Sequence, residues 1–115
     1  MTSQQEYFTE LFDLVKTIPK GKVMSYGQAG FLSGYTARQV GRAMANCEDD
    51  DVPWFRVVGS DGYLRIGSRS PVHQILQRQL LEAEGVQFKR NNYVDMDRHQ
   101  VNDFTDIEIA QEREY

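Results

Sequence analysis

Apolar residues recur at helical spacing near the start of the chain, where Tyr7, Phe8, Leu11, Phe12 and Val15, continued by Ile18, share one side of a helix from Glu6 to Lys16. Ser3 and Glu6 have the spacing of a capping box for that helix. Pro19 and Gly21 in "IPKGKV" break it, and Ser25 opens a second short helix that runs through Gln28 and Phe31 and stops at Gly34. "TARQVGRAMANC" predicts a third helix with Thr36 as N-cap. At about 100° per residue its Val40, Ala43, Met44 and Cys47 fall on one side and Arg38, Arg42 and Ala45 on the other, with Ala37 and Gly41 bordering the arginines. Two short helices joined at "SGY", the second presenting arginines among small residues, form the pattern of a helix-turn-helix.

Beyond it, the short apolar run "VPWFRVV" ends at the turn "GSDG", and "YLRIGSR" reads as extended chain or loop. Ser70 caps a further helix with Pro71 at its first position. Ile75, Leu76, Leu80 and Leu81 are expected to form its apolar stripe, and Gly85 ends it. "VQFKRNNYVDM" closes the fold as extended chain. The expected class is mainly α, a winged-helix-like helix-turn-helix domain over residues 1–100 with short extended segments. Residues 101–115 form an acidic tail of weak periodicity, expected to be mobile or loosely docked.

Composition changes this picture in three ways. At 115 residues, 40% hydrophobic and 26% charged, the chain affords one modest core and not two. It has no apolar run of membrane-spanning length, and the polar start "MTSQQEYFTE" lacks the basic opening of a signal peptide, so a cytoplasmic protein without membrane contact is expected. The net charge of −4 is unevenly spread: residues 1–90 hold 11 Lys and Arg against 10 Asp and Glu, and residues 91–115 hold 2 against 7. The body is therefore free to carry a basic face.

The single cysteine, Cys47, excludes an internal disulfide, and with only His73 and His99 there is no metal-ligand spacing. "EDDD" follows Cys47, and adjacent carboxylates oppose thiolate formation, so it reads as a small residue on a helix face. Three groups of residues each admit two readings. Arg38 and Arg42 are either solvated charges on a packed helix or, framed by Ala37, Gly41 and Ala45, groups that let the helix lie against a nucleic-acid backbone. Ser25, Tyr26 and Gln28 either cap a helix around a half-buried tyrosine or offer hydroxyls and free N–H groups to a phosphate. Trp54 is either core or, with Pro53, Phe55 and Arg56 beside it, the wall of a pocket for a flat polar ring, where stacking contributes ~1–3 kcal/mol per base.

In order and spacing, "IPKGKVMSYGQ", "ARQVGRAMANC", "VPWFRVVGSDGYLR" and "LLEAEGV" resemble the DNA-binding domain of O6-alkylguanine-DNA alkyltransferases, over roughly residues 6 to 95. That family carries proline-cysteine-histidine-arginine-valine at its active site, where the cysteine irreversibly accepts the alkyl group. "PWFRV" stands in its place here, and tryptophan at the cysteine position resembles the alkyltransferase-like proteins, which bind the lesion without removing the alkyl group. An indole N–H is a donor with no usable lone pair, and Phe55 replaces the histidine that activates the cysteine.

The resemblance implies the alkyltransferase C-terminal type of fold and a role for each matched residue. Tyr26 would press on the phosphate 3′ of the target, Arg38 would fill the space of the extruded base, and Ala37, Gly41 and Ala45 would lie in the minor groove. Ser25, Gln28, Thr36, Gln39 and Arg42 complete the implied DNA-facing set, and Asn46 would brace the turn into the active-site segment. Trp54, Phe55, Arg56, Glu84 and Tyr26 would shape the lesion pocket, with Arg69, or alternatively Arg65, over the flipped base. The implied partners are duplex DNA containing O6-alkylguanine and nucleotide excision repair proteins, for a monomer without cofactor or metal. Gly30, where the family usually has alanine, is expected to loosen the second helix slightly. Phe55 is expected to make the pocket more apolar. Two rivals stand beside this non-enzymatic sensor: an unorthodox alkyltransferase using Cys47, and a helix-turn-helix regulator with the pocket as core.

Overall fold

The computed structural model describes residues 8–101. Its first helix, α1, spans Thr9–Lys16 and buries Leu11, Phe12 and Val15. Phe8 precedes it, buried, with its ring 6.3 Å from Phe12 and 5.2 Å from Tyr35. The helix start expected at Glu6 and the capping box of Ser3 and Glu6 lie outside the described residues. After Gly21, which turns the chain at φ 84°, β1 (Met24–Ser25) pairs in parallel with β2 (Val57–Val58) in the register Met24 to Val57 and Ser25 to Val58.

Ser25 then caps α2 (Tyr26–Ser33), and Gly34 ends it in the left-handed region at φ 88°. Thr36 caps α3 (Ala37–Ala45). Both N-termini carry full capping boxes, Ser25 with Gln28 and Thr36 with Gln39, so each helix start is fixed by its own side chains. The turn between the two helices packs on Gly30, where a Cβ would lie 2.4 Å from the Tyr35 carbonyl oxygen. The loosening expected of Gly30 is thus corrected: the glycine is what lets the turn backbone approach α2, and its own carbonyl accepts from the N–H groups of Gly34 and Tyr35.

Past the 3₁₀ turn Trp54–Arg56 and β2, "YLRIGSR", expected as extended chain or loop, is irregular and contains a second 3₁₀ turn at Arg65–Ser68. Helix α4 (Pro71–Ala83) follows its Ser70 cap, and β3 (Phe88–Arg90) and β4 (Tyr93–Val94) make a small antiparallel hairpin turned at Asn92, φ 59°. A last turn of helix, α5 (Met96–His99), brings the chain back to its start: Val23 N–H donates to the His99 carbonyl at 2.9 Å, and Val101 N–H to the Val23 carbonyl at 2.8 Å. The His99 ring accepts from Gln87 N–H at 2.9 Å through Nε2, which leaves Nδ1–H to donate to the Gly21 carbonyl at 3.1 Å.

Two apolar clusters hold these elements. Leu11, Phe12, Val15, Ala29, Val40, Ala43 and Met44 join α1, α2 and α3; Leu64, Leu81, Val86 and Val94 join α4 to the hairpin. The strand alternation serves both, since Met24 and Val57 point into the first and Val23 and Val58 into the second.

The stripe expected on α4 is only partly a core face. Leu81 is fully buried and Leu80 half-buried, but Ile75 is 59% and Leu76 42% exposed, and the helix instead turns Gln77, 1% exposed, inward. The reason lies in the irregular backbone opposite. Gln77 Nε2 donates to the carbonyls of Phe55 and Val57, both at 3.1 Å, and Gln74 Nε2 to the carbonyl of Leu64 at 2.8 Å. A buried carbonyl left unpaired costs about 1–3 kcal/mol, enough to orient a helix whose apolar residues lie on both sides.

Candidate nucleic-acid interface

Helix α3 separates its two faces cleanly. Val40, Ala43 and Met44 are buried, while Ala37, Arg38 and Arg42 are exposed and Gly41 and Ala45 half-exposed. Among the described residues Arg56, Arg65, Arg78 and Arg98 each pair with a carboxylate and Arg90 lies over the Tyr93 ring, whereas the guanidinium groups of Arg38, Arg42 and Arg69 have no ion-pair partner. A solvated salt-bridged face would have carried acidic neighbours; this one leaves its cations available.

Gly41 sharpens the point. A Cβ there would meet nothing within 4 Å, so the fold itself does not require glycine at that position. Mid-helix glycine costs about 0.8–1 kcal/mol relative to alanine. Gly41→Ala is therefore expected to raise the melting temperature, and Gly41→Leu to fold normally but weaken DNA binding, because its side chain would hold the helix off the duplex. Equal DNA affinity of Gly41→Leu and wild type in a fluorescence titration would remove this face from the interface.

The other expected contacts divide into surface and internal roles. Ser25 is 4% exposed, and its hydroxyl accepts from Gln28 N–H at 3.0 Å. Gln28 accepts from Ser25 N–H and from Gln100 Nε2 and donates to the Val101 carbonyl at 2.9 Å, so its amide is committed within the fold. Thr36 and Gln39 engage each other's backbone at the start of α3. Asn46 Nδ2 donates to the Arg42 carbonyl at 2.9 Å and closes α3. Tyr26, at the first position of α2, is half-buried against the first cluster. Burial pushes its phenol pKa up, and the positive charges of Arg65 and Arg69 oppose that, which places both arginines within electrostatic reach of its hydroxyl.

Trp54 is half-buried and flanked edge-on by two rings, Phe55 at 6.0 Å and 88° and His73 at 6.2 Å and 79°. Arg56 turns away from it. Its Nε donates to Glu84 Oε1 at 3.0 Å, Nη2 to Oε2 at 2.5 Å and Nη1 to the Ile18 carbonyl at 2.8 Å, with side-chain exposures of 16% for Arg56 and 9% for Glu84. Glu84 Oε1 also accepts from Gly21 N–H at 3.3 Å. The guanidinium thus braces the segment from behind while lying 5.5 Å from the Phe55 ring centre. Arg65 is held by Asp61 at 3.5 Å, whereas Arg69 has no ion-pair partner among the described residues.

Sequence reasoning missed His73, Gln74 and Gln77. His73 is fixed by Ser70, whose Oγ lies 2.9 Å from Nδ1, and forms one side of the tryptophan's setting. The signal available was the pair of glutamines three apart, which put two carboxamides on one side of α4.

No group of His, Cys, Asp and Glu among the described residues has the geometry of a metal site, and no helix among them is long and apolar enough to cross a membrane. Burial pushes the Cys47 thiol pKa up; its hydrogen bond to the Asp49 carbonyl works against that, and the charges of Asp49, Asp50 and Glu48 add to the rise. The thiol is not activated.

A capped helix-turn-helix with unpaired arginines on its second helix, beside a half-buried tryptophan set between two rings, is the arrangement of a DNA-binding domain of the helix-turn-helix type. Residues 6–86 match the family described as 6-O-methylguanine DNA methyltransferase, DNA binding domain. The chain is 39% identical over 85 residues to a DNA base-flipping protein of Vibrio parahaemolyticus, a match covering 71% of this chain and 82% of that one. It is 40% identical over 85 residues to alkyltransferase-like protein 1 of Schizosaccharomyces pombe, covering 71% and 78%. A crystal structure of S. pombe Atl1 in complex with damaged DNA containing O6-carboxymethylguanine superposes with a TM-score of 0.75 at 32% identity, covering 90% of this chain and all of that one. The chain belongs to this family, and within it to the alkyltransferase-like proteins.

Proposed function

We propose that this protein is a non-enzymatic sensor of O6-alkylguanine in duplex DNA. The reading rests on "PWFRV", whose resemblance to the family's active-site segment sets Trp54 at the position of the alkyl-accepting cysteine and Phe55 at that of the activating histidine. An indole cannot displace an alkyl group, and the chain's only thiol, Cys47, is held protonated among carboxylates. Atl1 bound to DNA containing O6-carboxymethylguanine and the relatives named for base flipping support the same reading.

The face of α3 would enter the minor groove, with Arg38 filling the gap left by the rotated nucleotide and Tyr26 pressing on the phosphate beside it. The base would stack against Trp54 beneath Arg69, the rim arginine without a carboxylate partner. Extrusion costs a few kcal/mol and less where pairing is already damaged, so the lesion is preferred without a base-specific code. With no transfer step, the complex either persists or dissociates, and persistence would mark the site for nucleotide excision repair.

The test is a fluorescence titration of the protein with two short duplexes, identical except for one O6-methylguanine, followed by mass analysis. Tighter binding to the lesion, quenching of Trp54 and unchanged protein mass are expected. A gain of about 14 Da, one methyl replacing a hydrogen on an acceptor residue, would make the protein an enzyme. Equal binding to both duplexes would make it a helix-turn-helix protein without lesion recognition.

A further inference from the structure

We propose that Gln77 and Gln74 are positioning residues that set the spacing between the two walls of the lesion pocket. One wall is the 3₁₀ turn that carries Trp54; the other is the second 3₁₀ turn, which begins at Arg65 and is followed by Arg69. The chain links them through β2 and the turn at Gly59–Gly62, where Gly59 N–H donates to the Tyr63 carbonyl at 3.0 Å. Both are also tied to one helix from points three residues apart: Gln77 grips the carbonyls of Phe55 and Val57, and Gln74 grips that of Leu64 and reaches the Tyr63 hydroxyl at 3.4 Å.

The geometry indicates positioning beyond filling. Gln77 is 1% exposed, and its Oε1 is enclosed without a hydrogen-bond partner among the described residues. The amide cannot reverse, because Oε1 would then face two carbonyl oxygens. A buried carboxamide with an unsatisfied acceptor is a poor choice for core packing alone; its gain over an apolar side chain of the same length is the donor it offers to the carbonyls of Phe55 and Val57. What the carboxamide supplies is direction: two carbonyls, two residues apart, held at fixed distances from α4. Gln74 does the same at closer quarters, since a Cβ on Gly67 would fall 2.3 Å from its Nε2. An extruded base must fit between the walls, so a change in their spacing alters binding of the flipped base and leaves the contact of α3 with the duplex unchanged.

This inference rests on the sensor reading, and its test separates the two. Wild type, Gln77→Met and Gln74→Met are titrated with the lesion duplex and the unmodified duplex, and acrylamide quenching of Trp54 is measured in each free protein. Gln77→Met is expected to lose roughly tenfold in affinity for the lesion duplex, the scale of one or two hydrogen bonds, with unmodified-duplex affinity unchanged and Trp54 more accessible to acrylamide. Gln74→Met is expected to lose lesion affinity with Trp54 quenching unchanged, because it frees the arginine wall. Wild-type lesion preference in both variants would overturn the proposal, as would equal losses on both duplexes that track a lower melting temperature. If wild type itself does not discriminate, the sensor reading falls, and Trp54 accessibility in Gln77→Met still decides whether the glutamine fixes that wall. Should Gln77→Met not fold, the half-buried Gln74 position carries the test.

Discussion

Arg38→Ala is expected to lower affinity for a duplex containing O6-methylguanine by roughly 10- to 100-fold, the loss of a charge-assisted contact of about 1.5–3 kcal/mol, while the melting temperature stays at its wild-type value. The fold is spared because Arg38 is exposed and has no ion-pair partner among the described residues, and α3 is capped by Thr36 and Gln39 without it. Surface substitutions of that kind shift stability by no more than about 0.5 kcal/mol. Arg38→Lys separates charge from shape. It should restore affinity for unmodified duplex, which depends on phosphate neutralisation, but not the preference for the lesion, which needs a planar group able to occupy the vacated stack. The dependence of affinity on salt should fall by about one phosphate contact in the alanine variant. Near-wild-type lesion affinity in Arg38→Ala would argue strongly against nucleotide flipping by this face.

The largest effect on stability is expected at Glu84. Glu84→Ala leaves the Arg56 guanidinium 16% exposed and without its carboxylate, and removes the acceptor for Gly21 N–H. Breaking a buried pair from one side costs about 3–5 kcal/mol, so the melting temperature should fall by roughly 12–25 °C for a domain of this size. Calorimetry of Glu84→Ala, Arg56→Met and the double variant reads the coupling: the double variant should be less destabilised than the sum of the singles, because neither charge is then left buried alone. Additive losses would show that the two side chains act independently and that the bidentate geometry contributes little. Lesion binding should weaken in step with folding, in contrast to the selective loss expected of Gln77→Met.

Local features were legible because their physics is local. Ser25, Thr36 and Ser70 could be read as helix starts, since a hydroxyl needs only the next three residues to act as a cap, and Gly34 could be read as a stop because its conformation is closed to most side chains. The two faces of α3 followed from spacing in the same way. The orientation of α4 was not legible. Its apolar positions suggested Ile75 and Leu76 as core, but the deciding partners are carbonyls of Phe55, Val57 and Leu64, up to 22 residues away and irregular in conformation. Gly30 was misread for a similar reason: intrinsic helix preference counts against glycine, while the Tyr35 backbone that excludes a Cβ belongs to the next element. Of the pocket, Trp54, Arg56 and Glu84 could be placed only through resemblance, which located them without showing that Arg56 and Glu84 face each other behind the aromatic wall.

The way the pocket segment is gripped has a consequence for how such proteins diversify. From Trp54 to Val57 the fold holds backbone carbonyls through Gln77 and a single side chain, Arg56, through Glu84. The side chains at 54 and 55 contribute rings to the cleft but none of the polar anchors that fix the segment. Positions 54 and 55 can therefore change their chemistry without redesign of the scaffold that holds the segment, so the character of this surface and the stability of the fold are set by different residues.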